Sequence, residues 1–217
     1  MVRLLIIGCG GLGMEVLWSC LRMNGASGAL PIEVVGFTSE FPSDGLIEGV
    51  PFVGTLDALP SILESYEPTH FIVAIGNNEA RQRVHQNMVK FGLAPFSVVD
   101  PSVTVGFGVV IGCGVFVGVG SILSPNAVLG DGVLVNQSCT IGHDSKLDDF
   151  SQVCPGGRVS GKAVLSVGSF MGSNSVTAPG VTLGDWAVLG ALSMANRDLP
   201  AKVTAIGNPA RVVFRKL

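Results

Sequence analysis

A six-residue repeat dominates the second half of this 217-residue chain. Every sixth residue from Val99 to Leu189, sixteen consecutive positions, is a large apolar side chain, with Thr177 as the exception. Glycine often follows the apolar residue directly, and Ser, Ala or Cys often stands four places after it. An α-helix has about 3.6 residues per turn, so it would scatter side chains spaced by six all round its surface. The repeat therefore excludes a helical structure for this part of the chain.

A triangular prism explains the period. If six residues form one flat side, the large aliphatic residue points into the centre, glycine relaxes the corner, and the small residue fills the remaining interior. Three sides of six residues make a coil of 18, and about five such coils stack like parallel strands, about 4.8 Å apart. A sandwich of ordinary strands would need turn signals and a period of two, which this sequence does not show.

The first 96 residues have a different pattern, in which apolar strand-like runs alternate with helical segments. This alternation is typical of an α/β layer with a mostly parallel sheet. We therefore predict three parts: a small Rossmann-like domain at 1–96, the prism at 97–195, and a C-terminal tail at 196–217. The predicted strands and helices are "VRLLIIG", "GMEVLWSCLRM", "IEVVGF", "LDALPSILESY", "HFIVAI", "NEARQRVHQNMVKFG" and "PFSVV".

Composition excludes several classes of function. Charged residues make up 13% of the chain and the formal net charge is −3, so there is no basic footprint for nucleic acid or an anionic membrane. Glycine and short polar residues interrupt every apolar run before the roughly 18 residues of a membrane span, and no signal-peptide core is complete. The five cysteines have neither an even count nor a metal-ligand spacing. We predict a soluble cytoplasmic protein with reduced thiols and no metal.

Six motifs, in their order along the chain, carry a resemblance to a known family. They are "IIGCGGLGMEV", "VGFTSE", "AIGNNEAR", "VVDPSVTVG", "TIGHDSKLDDFSQV" and "AIGNPARVV". The chain resembles the hexapeptide-repeat acyltransferases, whose prism is a left-handed parallel β-helix. Over nearly its whole length it is similar to the bacillosamine-pathway and perosamine N-acetyltransferases and the sialic acid O-acetyltransferases. This resemblance implies a homotrimer that uses acetyl-CoA and a nucleotide-linked amino sugar.

His143 is the histidine of the prism, and its phase in the repeat points it outward. Asp144 follows directly and can orient an imidazole, as carboxylates do for catalytic histidines. One coil further along, the residue stacked on His143 is Gly161, which has no side chain to cover the ring. Asn136, on the preceding side of the prism, is expected to supply a polar group nearby. An isolated histidine on a polar surface is otherwise usually just solvated.

The resemblance assigns roles at these positions. It implies that His143 is the general base, that Asp144 is its acidic neighbour, and that acetyl-CoA contacts Asn136 and Gly161. Relatives often have a second histidine where this chain has Gln152, whose amide donates hydrogen bonds but does not titrate. Arg211, in the closing motif, is expected near the coenzyme phosphates, with a solvated arginine as the structural alternative. The implied coenzyme-binding set is Asn136, Gln152, Gly161, Ser173, Ala191 and Arg211.

The glycine-rich stretch at the start follows a strand and opens a helix, where backbone N–H groups can hold phosphate oxygens. A dinucleotide site is the usual interpretation of such a loop, but about 95 residues leave little room for a full dinucleotide fold. The resemblance implies a sugar nucleotide instead, and a structural turn without a ligand is the alternative. At Leu12, Thr38 and Ser39 this chain departs from the residues that relatives have, which leaves the identity of the nucleotide base open. The implied substrate-binding set is Gly10, Gly11, Leu12, Gly13, Thr38, Ser39, Gly76 and Asn77.

The chemistry requires that an amine lose a proton as it attacks a thioester, and an imidazole, with a reference pKa of about 6.5, can accept that proton. No acyl-enzyme is needed, and Cys139 occupies a small inward position where a thiol is inert. O-acetylation of a sugar and a non-catalytic sugar-nucleotide-binding scaffold are the alternatives. A γ-type carbonic anhydrase needs three histidines for zinc, and the prism has one. An oxidoreductase based on the glycine loop is disfavoured.

Overall fold

The chain folds into two compact units, Met1–Pro101 and Ser102–Leu217. The structure is a computed structural model that describes residues 1–26, 31–42 and 46–215.

The first unit contains a six-stranded sheet with the strand order β3-β4-β2-β1-β5-β6. Neighbouring strands are parallel, except that β3 and β4 form an antiparallel hairpin. A mostly parallel sheet with interspersed helices is the predicted α/β pattern. The strands of the sheet are β1 (Val2–Ile7), β2 (Ile32–Ser39), β3 (Leu46–Ile47), β4 (Val50–Thr55), β5 (His70–Val73) and β6 (Ala94–Pro95), and a further strand of the unit, β7 (Val98–Val99), lies outside it. The helices are α1 (Gly11–Asn24), a 3₁₀ turn (Leu56–Ala58), α2 (Leu59–Tyr66) and α3 (Asn78–Lys90).

The helices of this unit follow from apolar spacing and capping. In α3 the Asn77 side chain accepts a hydrogen bond from the Ala80 N–H at 2.9 Å, which satisfies one of the free amides of the first turn. Val84 and Met88, four residues apart, lie on the buried face of that helix. They pack into the same core as Leu5 and Phe71 of the sheet.

The sequence analysis missed the hairpin of β3 and β4. All six residues of β4 are half-buried, so this strand lacks the alternation of buried and exposed residues that marks a strand in a sequence. Its place in the sheet comes from pairing with β2, in which Phe37 lies opposite Phe52. Tertiary pairing, and not a local pattern, defines this strand.

The second unit is the predicted prism. Between residues 104 and 195, all of which the structure describes, sixteen two-residue strands run along three faces, which gives about five coils. From β8 to β20, each strand pairs in parallel with the strand 18 residues further on, as Ile141 does with Val159. The strands are β8 (Thr104–Val105), β9 (Val110–Ile111), β10 (Phe116–Val117), β11 (Ile122–Leu123), β12 (Val128–Leu129), β13 (Leu134–Val135), β14 (Thr140–Ile141), β15 (Lys146–Leu147), β16 (Gln152–Val153), β17 (Arg158–Val159), β18 (Val164–Leu165), β19 (Phe170–Met171), β20 (Val176–Thr177), β21 (Thr182–Leu183), β22 (Val188–Leu189) and β23 (Met194–Ala195).

The inward positions of the repeat form the core of the prism. From Val117 to Leu189 every predicted inward residue is buried, whereas Val105, in the first coil, is 49% exposed. Thr177, the polar exception, is fully buried, and its hydroxyl oxygen accepts the Ser160 N–H at 3.0 Å. The core therefore keeps one polar side chain because the backbone of the adjacent corner satisfies it.

The corners differ from the prediction. Every sixth residue from Gly108 to Leu192 has a positive φ, between 54° and 71°, and this residue stands three places after the inward one. The glycines directly after the inward residues do not have a positive φ, so the prediction that they relax the corner was wrong. They are small because the coils approach closely there: a Cβ on Gly142 would lie 2.5 Å from the Gly161 backbone nitrogen.

The segment predicted as a C-terminal tail extends one face of the prism. Strand β24 (Val203–Gly207) pairs in parallel with β22, and β25 (Ala210–Arg215) returns antiparallel to β24. The closing motif "AIGNPARVV" therefore lies in a hairpin at the edge of that sheet.

Candidate active site

Two corners of the prism carry the predicted catalytic residues and four of the six predicted coenzyme-binding residues, whereas Gln152 lies on β16 and Arg211 on β25. The His143 corner consists of the stacked turns 106–108, 124–126, 142–144, 160–162 and 178–180, which follow the face containing β14. The Asn136 corner consists of the turns 118–120, 136–138, 154–156, 172–174 and 190–192, which follow the face containing β13.

At the His143 corner the chain turns outward directly after a buried residue. Ile141 is fully buried, and two residues later the side chain of His143 is 61% exposed. The His143 carbonyl accepts the Lys162 N–H from the next coil at 2.8 Å, which fixes the backbone under the ring. The predicted outward phase of His143 is what the structure shows.

His143 and Asp144 form a pair. The His143 Nδ1 atom lies 2.8 Å from Asp144 Oδ2, and Asp144 has a left-handed φ of 57°. Hydrogen bonds from His143 and then Asn126 hold the pKa of the Asp144 carboxyl below its usual value, so the carboxylate is ionised and acts as an acceptor. The proton of a neutral ring therefore sits on Nδ1, and the lone pair of Nε2 is available to accept a proton.

Asn126, one coil before Asp144, is a residue that the sequence analysis missed. Its Nδ2 atom donates to Asp144 Oδ1 at 3.1 Å, so both oxygens of that carboxylate have partners. Asn126 also has a left-handed φ, of 60°. The 18-residue period could have found it, because subtracting one coil from 144 gives 126.

Gly161 lies directly against the imidazole. A Cβ on Gly161 would be 2.5 Å from His143 Nε2 and 2.8 Å from Cε1, which is closer than van der Waals contact. Its φ is outside the left-handed region, so backbone conformation does not require glycine here. The missing side chain gives room to the ring itself, as the sequence analysis expected from the stacking of residue 161 on His143.

The structure does not bring Asn136 to His143 within one chain. Asn136 belongs to the turn before β14 and His143 to the turn after it, so the width of one face separates them. Ser173 and Ala191 stack on the Asn136 corner, as the hydrogen bond from the Leu192 N–H to the Ser173 carbonyl shows. The expectation that Asn136 supplies a polar group near His143 is therefore wrong for a single chain.

The Asn136 side chain has an unusual environment. It is 7% exposed, and among the residues that the structure describes its Oδ1 atom accepts no hydrogen bond. A buried acceptor without a partner costs about 1–3 kcal/mol, which favours a site that an external donor completes. Gln152, also buried, directs its Nε2 to the Cys154 sulfur at 3.6 Å. Arg211 lies on β25 and is exposed, which is compatible both with a contact to coenzyme phosphate and with a solvated side chain.

Cys139 is 1% exposed, as its small inward position predicts. Burial raises the pKa of the Cys139 thiol to about 11, which keeps it protonated near neutral pH. Because the thiolate is the nucleophilic form, this cysteine is unsuited to carry an acyl group.

The predicted substrate loop lies at the carboxyl ends of β1, β2 and β5. Gly8 donates its N–H to the Thr38 carbonyl at 2.7 Å, and a Cβ on Gly8 would clash with the Ala74 carbonyl. A Cβ on Gly10 or Gly11, in contrast, would meet nothing within 4 Å. Helix α1 starts there without a side-chain cap or an acidic residue in its first turn, so no side-chain hydrogen bond caps its first amides. This geometry suits an anionic ligand such as a phosphate.

Other residues of the predicted substrate set have partners within the fold. Gly13 is buried, and a Cβ there would clash with the Gly8 carbonyl. Thr38 is fully buried and donates its hydroxyl to the Gly54 carbonyl at 2.7 Å, while Ser39 donates to the Phe41 carbonyl. Asn77 caps α3, and Leu12 is half-buried, whereas Gly76 is exposed.

Residues 1–26, 31–42 and 46–215 contain no cluster of three or more His, Cys, Asp and Glu side chains arranged to hold a metal ion. Within the same residues, no helix has the length and apolar character needed to cross a membrane.

Comparison with known proteins agrees with the fold. Residues 3–88 match the PglD N-terminal domain. GDP-perosamine N-acetyltransferase of Escherichia coli O157:H7 is 29% identical over 155 residues, which cover 69% of this chain and 70% of that protein. The sequence likeness therefore extends over both units.

Solved structures are similar over almost the whole chain. A histidine-to-asparagine mutant of perosamine N-acetyltransferase from Caulobacter crescentus, in complex with CoA and GDP-perosamine, is 30% identical with a TM-score of 0.89, covering 98% of this chain and 97% of that one. The acetyltransferase domain of PglB from Neisseria gonorrhoeae is 28% identical with a TM-score of 0.85, covering 98% and 100%.

The prism is therefore a left-handed parallel β-helix, and the fold defines a hexapeptide-repeat acyltransferase. The chain belongs to the hexapeptide-repeat sugar N-acetyltransferases that carry a PglD-type N-terminal domain. It is an acetyl-CoA-dependent sugar N-acetyltransferase, which confirms the predicted family, enzyme class and co-substrate.

Proposed function

We propose that the enzyme transfers acetyl directly from acetyl-CoA to the amine of a nucleotide-linked sugar, with His143 as the general base that accepts the proton of the amine. The observation that carries this proposal is the His143–Asp144 pair, 2.8 Å apart at an exposed corner, with Nε2 directed to the space beside Gly161. Relatives of the same fold bind CoA and GDP-perosamine, which supports the same pair of reactants here.

The reaction needs one proton carrier. The amine nitrogen attacks the thioester carbonyl while Nε2 takes a proton from it, and backbone N–H groups along the corner stabilise the oxyanion. Collapse of the tetrahedral intermediate breaks the carbon–sulfur bond, and the imidazolium returns the proton to the coenzyme A thiolate. Asp144 orients the ring and stabilises its charged form. The products are an N-acetyl sugar and free coenzyme A, without an acyl-enzyme.

The division of the predicted residues between two corners supports a homotrimer. A coenzyme bound between two copies of the chain would contact the His143 corner of one copy and the Asn136 corner of the other. Each contact then joins two different surfaces, and three copies around one axis close such a set of contacts. The unpaired Asn136 oxygen supports this proposal, because a donor from the coenzyme or from another copy would satisfy it.

The glycine-rich loop is proposed to hold the phosphates of the sugar nucleotide. The open space at Gly10 and Gly11 and the uncapped first turn of α1 support it. A reaction that consumes acetyl-CoA, together with the five free cysteines, favours the cytoplasm as its compartment.

The test is thioester consumption with a panel of UDP-, GDP- and dTDP-amino sugars. His143→Ala is expected to lower kcat by about 10² to 10⁴, the usual contribution of a general base, with little change in the KM for acetyl-CoA. His70→Ala is the matched control, because His70 is the first residue of β5 and lies at the amino end of that strand, whereas the glycine loop lies at the carboxyl ends. Wild-type turnover of the His143 variant at neutral pH would refute the base assignment, and a fully active monomer in sedimentation would refute the trimer.

A further inference from the structure

We infer that Asn126 is a positioning residue, which holds Asp144 and through it the His143 ring in the orientation that transfers the proton. This inference rests on the proposed role of His143. The three side chains form a continuous line of hydrogen bonds along one corner: Asn126 Nδ2 to Asp144 Oδ1 at 3.1 Å, and Asp144 Oδ2 to His143 Nδ1 at 2.8 Å.

The stacking of the coils fixes this line. The Asn126 N–H bonds to the Phe107 carbonyl at 3.0 Å and the Asp144 N–H bonds to the Pro125 carbonyl at 3.1 Å, so residues 126 and 144 occupy the same place in successive coils. Both have a left-handed φ, which aligns their Cα–Cβ directions. A carboxylate with one oxygen held from the coil below and the other held by the ring is restricted in rotation about χ2.

The residues stacked before Asn126 and after Asp144 are compatible with the hydrogen bond between them. Gly108, at the same position one coil earlier, has no side chain, and a Cβ there would clash with Asn126 Oδ1. The glycine therefore leaves room for Asn126 Oδ1 on one side, while Nδ2 faces Asp144 on the other. Lys162 occupies the same corner position one coil after Asp144, and its positive charge also favours the ionised form of the Asp144 carboxyl.

A purely conformational role is the alternative, because Asn adopts a left-handed φ more readily than most residues. Glycine suits that φ better still, and Gly108 and Gly180 occupy the same corner position with φ of 70° and 71°. Asn126→Gly therefore removes the amide without straining the turn. Asn126→Asp keeps the shape and replaces the donor with an acceptor, so it repels Asp144.

The chain offers a matched stability control at the Asn136 corner. Asn174 has a φ of 54° and lies over Gly156 as Asn126 lies over Gly108, but the next residue of its stack is Leu192 and not a carboxylate. Asn174→Gly therefore measures what the loss of such an amide costs in melting temperature. We expect Asn126→Gly and Asn174→Gly to change the melting temperature by similar amounts.

The experiment measures kcat, KM and the ring tautomer in the full-length enzyme. We expect Asn126→Gly and Asn126→Asp to lower kcat about tenfold, as for the loss of one hydrogen bond to a charged group, with KM for acetyl-CoA unchanged. ¹⁵N NMR of His143 should show a smaller fraction of the Nδ1–H tautomer in both variants, a signal that a merely structural role would not move.

The outcomes separate this inference from the proposed function. If His143→Ala is inactive but both Asn126 variants keep wild-type kcat and the wild-type tautomer, the positioning role is refuted and the base assignment stands. If His143→Ala keeps its turnover, the proposed function fails first and the inference fails with it.

Discussion

Replacing Gly161 with alanine tests the geometry of the base directly. The new Cβ would lie 2.5 Å from His143 Nε2, whereas ordinary contact between such atoms begins at about 3.5 Å. The ring must therefore move by about 1 Å. A displacement of that size between reacting groups can cost about 10²-fold, so we expect Gly161→Ala to lower kcat by about that factor, or about 2.7 kcal/mol of activation free energy.

The same structure predicts that the protein stays folded. Gly161 does not have a left-handed φ, and the equivalent corner position is occupied by side chains elsewhere, as at Ala191. The atoms that must yield belong to an exposed ring and not to the backbone. The melting temperature of Gly161→Ala should therefore be close to that of the wild type. Gly142→Ala is the contrasting control, because its Cβ would lie 2.5 Å from the Gly161 backbone nitrogen and should destabilise the prism.

The assay is steady-state thioester consumption at varied acetyl-CoA, with thermal melting of each variant. In a His143→Ala background, Gly161→Ala should have no further effect on kcat, because the ring it displaces is gone. A folded Gly161→Ala enzyme with wild-type kcat would refute the reasoning. A raised KM for acetyl-CoA at unchanged kcat would instead support the sequence-based hypothesis that Gly161 lines the coenzyme path.

Three further predictions follow from the site and the core. Asp144→Asn should lower kcat. The wild type should be more stable than this variant at pH values above 3.8, the usual pKa of an aspartate carboxyl, because the folded state lowers the pKa of Asp144. This difference in stability should vanish as the pH falls through the lowered pKa, which pH-dependent unfolding would show. Cys139→Ala should keep wild-type kcat without a burst phase, and a loss of turnover in the folded variant would reopen the acyl-enzyme route. Ile141→Ala should lower the free energy of unfolding by about 2–5 kcal/mol in denaturant titrations, and a change below about 1 kcal/mol would contradict the core assignment.

The sequence by itself determined the prism and the orientation of its residues. A period of six with small residues four places later leaves one arrangement in which the aliphatic side chains share a core, so Ile141 had to be buried and His143 exposed. The same register placed Cys139 inside and Gly161 one coil from His143. These properties are local or strictly periodic, so the amino-acid sequence is sufficient to predict them.

Tertiary structure decided what the register could not. The contact of Gly161 with the imidazole depends on how closely the coils stack, and the hydrogen bond from Asn126 depends on a corner geometry that the sequence analysis assigned to the wrong position. The pairing of β4 with β2 and the burial of Thr38 likewise arise from contacts between distant segments. The separation of Asn136 from His143 has the same origin. The two residues are close in sequence, but the intervening side of the prism is extended, so they lie at different corners.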